Sequence, residues 1–379
     1  MNDSFRSWVG AGLLVVSLGG CTNNAASSTS STSSAGAKST TSAAKASASA
    51  PGKPSASAAV ATTASAQPSA AKVEAPPAAP TVKSSDLKTL GVVDKTFEIA
   101  LYPQGVVFSG LDATSRIPLE GGAALSLSKV AGTSLVADAS DLFTDTFEPG
   151  GKRGITKIAG DPNGNGAPTV LATSPADTHG LTVDADRVYW LAGASDKEPT
   201  SGVYSVAKSG GDISTLTTGL LNPFGLTSDE SALYFCEGAE AKRRVVSVPK
   251  AGGELKVLQS NLKDCPSLIV DDEAVYVSEV MVKDDGSGPI WRVPKTSGTP
   301  TVVWESTINA CFGRRGKEVY AITNCGNAAG ELIQLAPTRK RLVTIERIAF
   351  SLRVDATHAY WLELQTLGGT SNDLKRFQL

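Results

Sequence analysis

The sequence predicts an all-β fold made of seven repeats of one four-stranded antiparallel sheet, and three observations lead to it. A hairpin pattern with a glycine-rich turn recurs as "VVSVPKAGGELKVL" (245–258), "IWRVPKTSGTPTVV" (290–303), "VYSVAKSGGDISTL" (203–216) and "TSRIPLEGGAALSL" (114–127). An apolar and usually aromatic residue recurs upstream of each hairpin at intervals of 36 to 46 residues. Two further apolar columns keep step with it, one eight residues upstream of the aromatic and one inside the hairpin. The aromatic column is Val107, Phe143, Tyr189, Tyr234, Tyr276, Tyr320 and Tyr360, the upstream column is Ile99, Leu135, Leu181, Leu226, Leu268, Phe312 and Leu352, and the hairpin column is Ile117, Ile158, Val206, Val248, Val293, Leu335 and Phe377.

One unit shows how the strands follow each other. In "GLTVDADRVYWLAG" (180–193), "GLTVD" reads as strand a and "VYWL" as strand b, and "VYSVAK" and "ISTLT" follow as strands c and d. The c–d turn is rich in glycine, as a tight hairpin with positive φ requires. Four strands in about 40–45 residues is the spacing of a propeller blade. We therefore predict a seven-bladed β-propeller over residues 86–379.

The last blade lacks its fourth strand at the end of the sequence. The chain stops at "LKRFQL" (374–379), directly after strand c of the seventh unit. Upstream of the first unit, "DLKTLGVV" (86–93) matches the d-strand patterns "DISTL" (212–216) and "ELKVL" (254–258). We predict that residues 86–92 pair with residues 374–379, which closes the ring and leaves no half-built sheet with a free edge.

An aspartate recurs directly before the turn between strands a and b, where its side chain can accept backbone N–H bonds. We interpret this column as structural rather than as a ring of catalytic acids. Its members are Asp138, Asp184, Asp229, Asp271 and Asp355.

Residues 1–21 have the pattern of an export signal. The apolar run 8–20 is about 13 residues long and reaches about 20 Å as a helix, short of the ~30 Å hydrocarbon core. Its end, "LGGC" (18–21), resembles the bacterial lipobox, which implies that Cys21 is acylated and anchors the mature chain to a membrane. An ordinary secretory signal with an unrelated cysteine is the alternative. Thr22 stands where an inner-membrane retention signal has Asp, which favours the outer membrane.

Residues 22–85 are predicted to form a disordered tether. All but 12 of them are Ala, Ser, Thr, Pro or Gly, and none is aromatic, Leu or Ile. Such a segment cannot bury enough apolar surface to offset the entropy of ordering. A flexible coil of this length spans about 45 Å.

Two tyrosine–tryptophan pairs, Tyr189-Trp190 and Tyr360-Trp361, carry a resemblance to a known class of repeat. They resemble the YWTD-type propellers of lipoprotein receptors and related secreted bacterial propellers, over residues 86–379 and at the level of pattern. Leu191 stands where that motif has Thr, so the resemblance implies the fold and no receptor-specific residue. The receptor propellers have six blades, whereas seven units are counted in this sequence.

The composition excludes several functions. The chain has 35 Lys+Arg against 37 Asp+Glu and a net charge of -2, which argues against a nucleic-acid partner because such a partner requires a basic face. Only 2 His are present, so few imidazoles are available for catalysis or metal binding. The sequence contains no GxSxG, HExxH, P-loop or dinucleotide-binding pattern.

Strand direction alternates in a blade, so the b–c loops and the d–a crossovers share one face, which we call the loop face. The a–b and c–d turns share the opposite face, the turn face. The b–c loops vary in length (144–153, 192–201, 236–244 and 278–288), and variable loops on a rigid scaffold are where binding usually takes place. The candidate binding residues at the mouth of the central channel are Asn222, Phe224, Lys263, Asp264, Glu279 and Trp304.

Apart from Cys21, four cysteines remain, which allow three pairings. Cys236 and Cys325 end b strands, whereas Cys265 and Cys311 are placed in d–a crossovers, so all four fall on the loop face. In an exported protein they should be oxidised. We favour Cys236–Cys265, joining neighbouring units, and Cys311–Cys325, within one unit. A zinc site is the alternative, but no CxxC pattern or nearby His supports it.

"DPNGNG" (161–166) matches the start of a calcium loop, with Asp161, Asn163 and Asn165 as candidate ligands. Ala172 stands where the bidentate Glu should be, and the segment coincides with a c–d turn. An enlarged hairpin turn is therefore the preferred interpretation. We expect no cofactor, with Ca²⁺ as the alternative.

His179 lies in "ADTHGLTV" on the loop face, two residues after Asp177. An Asp–His pair at the channel mouth could act as a general base. A lone histidine in a loop is more commonly a hydrogen-bonded structural residue, so this pair is a weak catalytic candidate.

Two functions of different classes remain. The favoured one is a monomeric, lipid-anchored module of the bacterial cell envelope whose loop face binds a protein or glycan, because the stock of catalytic groups is poor and the tether is long. The alternative is a propeller enzyme, a lyase or hydrolase with a divalent metal, whose site lies at the channel mouth. A fold alone does not choose between them.

Overall fold

Alternating apolar and polar residues between glycine-rich turns fold as β-strands along the chain. The computed structural model describes residues 86–379 except 97, 111–112, 150, 161–165 and 194–199. The predicted export signal with Cys21 and the predicted tether lie outside the described residues, and so do the calcium candidates Asp161, Asn163 and Asn165. In the part of the chain that the structure describes, no helix is long and apolar enough to cross a bilayer.

The described residues form twenty-eight strands. In chain order they are β1 (Leu87–Asp94), β2 (Ile99–Tyr102), β3 (Gly105–Ser109), β4 (Thr114–Ile117), β5 (Leu125–Ser128), β6 (Gly132–Ala137), β7 (Asp141–Phe147), β8 (Arg153–Ala159), β9 (Pro168–Thr173), β10 (Thr178–Val183), β11 (Arg187–Ala192), β12 (Gly202–Ala207), β13 (Ser214–Thr218), β14 (Phe224–Ser228), β15 (Ala232–Glu237), β16 (Arg243–Pro249), β17 (Lys256–Leu262), β18 (Asp264–Val270), β19 (Ala274–Val280), β20 (Gly288–Pro294), β21 (Thr301–Thr307), β22 (Ala310–Arg315), β23 (Glu318–Thr323), β24 (Gly330–Ala336), β25 (Lys340–Ile345), β26 (Ala349–Val354), β27 (His358–Leu364) and β28 (Ser371–Gln378).

The strands form seven antiparallel sheets of four, which confirms the seven-bladed propeller. Blades 1 to 6 are β2–β5, β6–β9, β10–β13, β14–β17, β18–β21 and β22–β25, each in chain order, and blade 7 is β26–β27–β28–β1. The first strands of successive blades contact one another, from β2 to β26 and from β26 back to β2, so they line the centre of a closed ring.

The chain termini close the ring as predicted. β1 runs antiparallel to β28, with Leu87 opposite Phe377 and Asp94 opposite Ser371. Leu90 of β1 is buried in a cluster that spans blades 7 and 1. β28 begins at the loop face and ends at the turn face. Residue 86 lies beside the end of β28 and is therefore at the turn face.

The core lies between neighbouring blades. The aromatic and hairpin columns of the repeat are buried in every blade, and Trp190 and Trp361 are fully buried. Each apolar cluster draws side chains from two consecutive sheets, as with Phe143 of blade 2 and Trp190 of blade 3. Full burial of one such large side chain is worth about 1.5–3 kcal/mol relative to leaving it exposed. The repeated columns thus hold sheet to sheet around the ring.

The aspartate column is structural, as the sequence indicated. In blade 3, Asp184 accepts backbone N–H bonds from Asp186 (3.0 Å) and Arg187 (2.9 Å) and a hydrogen bond from the Tyr189 hydroxyl (2.8 Å). Lys250 reaches across from the end of strand c in blade 4 and pairs with Asp184 at 2.9 Å. The same Lys lies over the Tyr189 ring, 5.4 Å from its centroid.

This Lys–Asp–aromatic arrangement, which we call the inter-blade clamp, occurs three times among the residues that the structure describes. Its members are Lys208 with Asp138 and Phe143, Lys250 with Asp184 and Tyr189, and Lys295 with Asp229 and Tyr234. The clamps join blades 2–3, 3–4 and 4–5. They explain why a Lys at the end of strand c and an Asp before the a–b turn recur together in the sequence.

Candidate functional site

The inner strands bend where they meet the loop face. The pairing of β10 with β11 shifts register after His179, and the pairing of β14 with β15 shifts after Phe224. Gly180 and Gly225 occupy these bulges with φ of 76° and 62°, a backbone conformation that favours glycine. A β-bulge re-aims the neighbouring side chains. The imidazole of His179 and the ring of Phe224 come to lie 5.8 Å apart between centroids.

A buried carboxylate organises the mouth between blades 2 and 3. Asp145 is fully buried in β7 and accepts hydrogen bonds from the backbone of Thr133 (2.8 Å) and Ser134 (2.6 Å) and from the hydroxyl of Thr178 (2.7 Å). It also pairs with Arg153 at 3.3 Å. A buried charge persists only when it is paired and hydrogen-bonded. Asp145 therefore fixes the position of Arg153.

Arg153 extends this network to the surface. Its Nε lies 3.8 Å from the carboxylate of Asp177, which is half exposed. Its guanidinium lies over the ring of Phe147, 3.6 Å from the centroid. Arg153 and Phe147 are opposite each other in the register of β7 and β8, so regular strands hold both side chains.

A second buried arginine has the same arrangement between blades 4 and 5. Arg243 donates to the backbone oxygen of Asn222 (2.7 Å), and its Nε lies 3.1 Å from Asp264. Its guanidinium lies 5.2 Å from the centroid of Phe224. The arginine thus brings Asn222, Phe224 and Asp264 together, three of the residues that the sequence predicted at the mouth.

The two arginines occupy one position of the repeat. Arg153 and Arg243 are the first residues of strand c in their blades, and Asp177 and Asp264 lie four residues before the apolar column of the next blade. Between blades 5 and 6 and between blades 6 and 7, small or apolar residues occupy the paired positions, Gly288 with Ile308 and Gly330 with Ile348. The buried arginines of the mouth therefore lie on blades 2 and 4.

His179 lies in β10, the inner strand of blade 3, and not in a crossover as the sequence suggested. Burial lowers the pKa of its imidazole, an effect that Asp177 opposes and Arg153 reinforces. The ring is therefore neutral at pH 7, with one nitrogen able to accept and the other able to donate a hydrogen bond.

Glu98 is a channel residue that the sequence reasoning missed. It immediately precedes β2 and pairs with Arg353 of blade 7 at 3.0 Å. Burial raises the pKa of its carboxyl, and Arg353 partly offsets that effect. A signal existed, because the other six units place Ser, Gly or Cys at this position of the repeat.

The remaining predicted mouth residues, Glu279, Lys263 and Trp304, lie in two different places. The carboxylate of Glu279 accepts the backbone N–H of Lys263 (2.8 Å) and the indole N–H of Trp291 (2.7 Å), so it fastens the crossover, while the Lys263 side chain is exposed. Trp304 does not reach the mouth. It lies buried in β21, the outermost strand of blade 5, with the guanidinium of Arg341 5.6 Å from its ring centroid. Position in the chain did not distinguish an inner from an outer strand.

The structure joins the cysteines in the pairs that the sequence favoured. Cys236–Cys265 links blades 4 and 5 with 6.2 Å between Cα atoms, and Cys311–Cys325 lies within blade 6 with 5.5 Å. Cys265 and Cys311 are the second residues of inner strands rather than parts of crossovers. Among the residues that the structure describes, no three His, Cys, Asp or Glu side chains are placed to share a metal ion.

The loop face also presents large apolar side chains to solvent. The exposed fractions are 68% for Phe147, 66% for Met281 and 86% for Leu367, which belong to the b–c connections of blades 2, 5 and 7. Within the described ranges, no a–b turn exposes a large apolar side chain to this extent. Exposed apolar groups gathered on one face are typical of an interaction surface.

No family model and no curated protein match this sequence. Among solved structures, virginiamycin B lyase from Staphylococcus aureus has a TM-score of 0.51 at 13% identity, covering 77% of this chain and 99% of the lyase. A puromycin-hydrolyzing peptidase from Mycobacterium tuberculosis has a TM-score of 0.52 at 12% identity, covering 71% of this chain and half (50%) of the peptidase. A chain from a nidogen/laminin complex has a TM-score of 0.47 at 16% identity, covering 63% of this chain and 92% of that one. At these identities the likeness shows the fold alone.

Proposed function

We propose that this protein is a binding module that engages a protein or glycan through its loop face. The observation that carries the proposal is the exposure of Phe147, Met281 and Leu367 on the b–c connections, against a turn face whose a–b turns carry polar side chains. Most buried acids at the mouth are held in structural bonds, as Asp145 and Glu279 are, so they support the scaffold rather than bind ligand.

The proposal includes a location. The lipobox-like "LGGC" (18–21) and the two disulfides support an extracytoplasmic envelope protein anchored through Cys21. Residue 86 lies at the turn face, beside the end of β28. A tether that leaves there attaches opposite the loop face and leaves that face accessible to a partner.

Site-specific photo-crosslinking in cells tests the module. A photoreactive phenylalanine analogue replaces Phe147 or Leu367, and matched controls carry it at Glu230 or Lys317 in exposed a–b turns. We expect one discrete adduct from the loop-face positions and none from the turn-face positions. Equal labelling from both faces, or no adduct from either, contradicts the proposal.

The alternative function is an enzyme whose site lies at the channel mouth. The observation that favours it is the position of His179 in the inner strand β10, where its ring lies 5.8 Å from that of Phe224 and interacts with Asp177 and Arg153. A lyase or hydrolase activity of the purified protein that His179→Ala abolishes without lowering the melting temperature would establish this alternative. Bound stoichiometric metal, found by elemental analysis, would favour it as well.

A further inference from the structure

A groove of about 480 Å³ opens on the loop face at blade 2. One wall is the crossover from blade 1, and the other is formed by the end of β7 and by the outer strand β9. The residues that line it include Lys129, Thr146, Phe147, Glu148, Thr156 and Val170. This groove lies outside the channel mouth and contains no residue that the sequence analysis proposed as a ligand-binding group.

Phe147 forms an open aromatic platform in this groove. One face of its ring is covered by the guanidinium of Arg153 at 3.6 Å, and the side chain is nevertheless 68% exposed. Arg153 is in turn held by Asp145 and Asp177. The ring is thus fixed from beneath by a buried ionic network, and its exposed surface is available for stacking.

The polar residues that line the groove provide hydrogen-bond donors and acceptors and have no net charge. The Thr146 hydroxyl lies 2.9 Å from Glu148 and 2.8 Å from the Thr156 hydroxyl, which orders these groups along one wall. Lys129 adds an exposed ammonium group opposite. One cation and one anion give the groove no net charge, so a neutral ligand with many hydroxyl groups complements it better than an anion does.

An added peptide strand fits this groove less well. The outer strand β9 begins with Pro168, which has no N–H to donate, and carries Leu171 as an extra residue where its pairing with β8 shifts between Val170 and Ala172. Proline and bulges blunt the edge of a sheet against strand addition.

We propose that the blade 2 groove binds a neutral saccharide chain, with one sugar ring stacked on Phe147 and its hydroxyls bonded to Glu148 and Lys129. Sugar rings present apolar C–H faces and vicinal hydroxyls, which match an aromatic platform flanked by donors and acceptors. This inference rests on the proposed binding function and names the ligand class for one part of the loop face.

Calorimetric titration of the full-length protein with cellopentaose, maltopentaose and chitopentaose tests the proposal. We expect at least one of them to bind, with an affinity that Phe147→Ala weakens about tenfold or more and Phe147→Trp preserves. The matched control is Met281→Ala, which removes an equally exposed apolar side chain from blade 5 and should leave the affinity unchanged. Phe147→Trp and Met281→Ala should melt at the wild-type temperature, because the tryptophan keeps an aromatic ring over Arg153 and Met281 is exposed. Phe147→Ala loses that ring and should melt slightly lower while keeping one cooperative transition.

Absence of binding by every oligosaccharide overturns the proposal, and so does binding that Phe147→Ala leaves intact. Phe147-dependent binding of an aromatic-rich peptide in place of the sugars also overturns it, while leaving the loop face as a binding surface. If crosslinking from Phe147 and Leu367 also fails, the proposed function itself falls.

Discussion

Blades 2 to 5 and blades 6, 7 and 1 are held together by different contacts. Between blades 2–3, 3–4 and 4–5 the inter-blade clamp recurs, and the buried arginines of the mouth lie on the same blades. In blade 6 the position of the clamp aspartate is taken by Arg315, which bonds to Tyr320 (3.0 Å) and to the backbone oxygen of Ala356 in blade 7 (2.7 Å). In blade 1 the position of the clamp lysine is taken by Leu119, whose backbone oxygen accepts from Arg376 of blade 7 at 2.7 Å.

The difference teaches that one repeat geometry tolerates several polar contacts as long as the apolar columns are kept. Blades 2 to 5 use Lys–Asp pairs between neighbours, whereas blade 7 is completed by the pairing of the two chain ends. Single substitutions in blades 2 to 5 should therefore each lower the unfolding free energy by a small amount, whereas removing the strand that completes blade 7 should abolish the fold.

Deleting residues 86–93 is expected to have the largest effect. It removes the outer strand of blade 7 and two buried apolar residues, Leu90 and Val93, each worth about 1.5–3 kcal/mol, and it exposes the edge of β28. Thermal unfolding followed by circular dichroism should lose its cooperative transition. Deleting residues 30–80, outside the propeller, should leave the transition nearly unchanged, and similar behaviour of the two deletions would show that the ring is not closed this way.

Asp145→Ala should be the most damaging single change on the other side of the comparison. It removes the partner of the buried Arg153, and leaving a buried charge uncompensated costs about 3–5 kcal/mol. Urea unfolding measures the loss. Asp177→Ala removes the half-exposed partner of the same arginine and should cost less than about 1 kcal/mol. Equal losses would mean that the network does not depend on its buried member.

Lys250→Met should open one clamp at a cost of about 1–2 kcal/mol, since a hydrogen bond to a charged, partly buried group is lost while the alkyl chain is kept. The free energy of unfolding in urea gives the measurement. Lys317→Met changes an exposed lysine in the a–b turn of blade 6 and should stay within about 0.5 kcal/mol of the wild type. If Lys250→Met loses no more unfolding free energy than Lys317→Met, the clamp does not stabilise the fold.

The smallest expected effect is a dependence on pH. Burial alone would raise the pKa of Asp184, but the hydrogen bonds from Lys250 and from the backbone of Arg187 and Asp186 lower it to about 2. Because the unfolded value is about 3.9, this carboxylate stabilises the fold above about pH 4 and loses that contribution as the pH falls toward its folded pKa. The difference in unfolding free energy between wild type and Asp184→Asn should therefore shrink between pH 4 and pH 2. If that free-energy difference stays constant from pH 4 to pH 2, the titration of Asp184 in the clamp does not contribute to stability.

The site was harder to predict than the fold. Asn222, Phe224 and Asp264 were found by position alone because they begin or precede inner strands at the loop face. Trp304 was misplaced because inner and outer strands carry similar local patterns. Arg153 and Arg243 were missed, although both are the first residue of strand c. Aligning that position across the seven repeats would have revealed them.

The sequence by itself predicted the number of blades and the pairing of the chain ends, and among three possible cysteine pairings it favoured the one that the structure has. The blade number could be predicted because each blade is a local unit whose aromatic column repeats every 36 to 46 residues, and because repetition turns weak local signals into a consistent register. Only the tertiary structure decided which side chains meet across blades, such as Lys250 with Asp184 and Arg353 with Glu98, and which meet across strands of one blade, such as Arg153 with both Asp145 and Phe147. These contacts join residues of different strands or blades, and their geometry depends on the twist of each sheet and on bulges that no local pattern records.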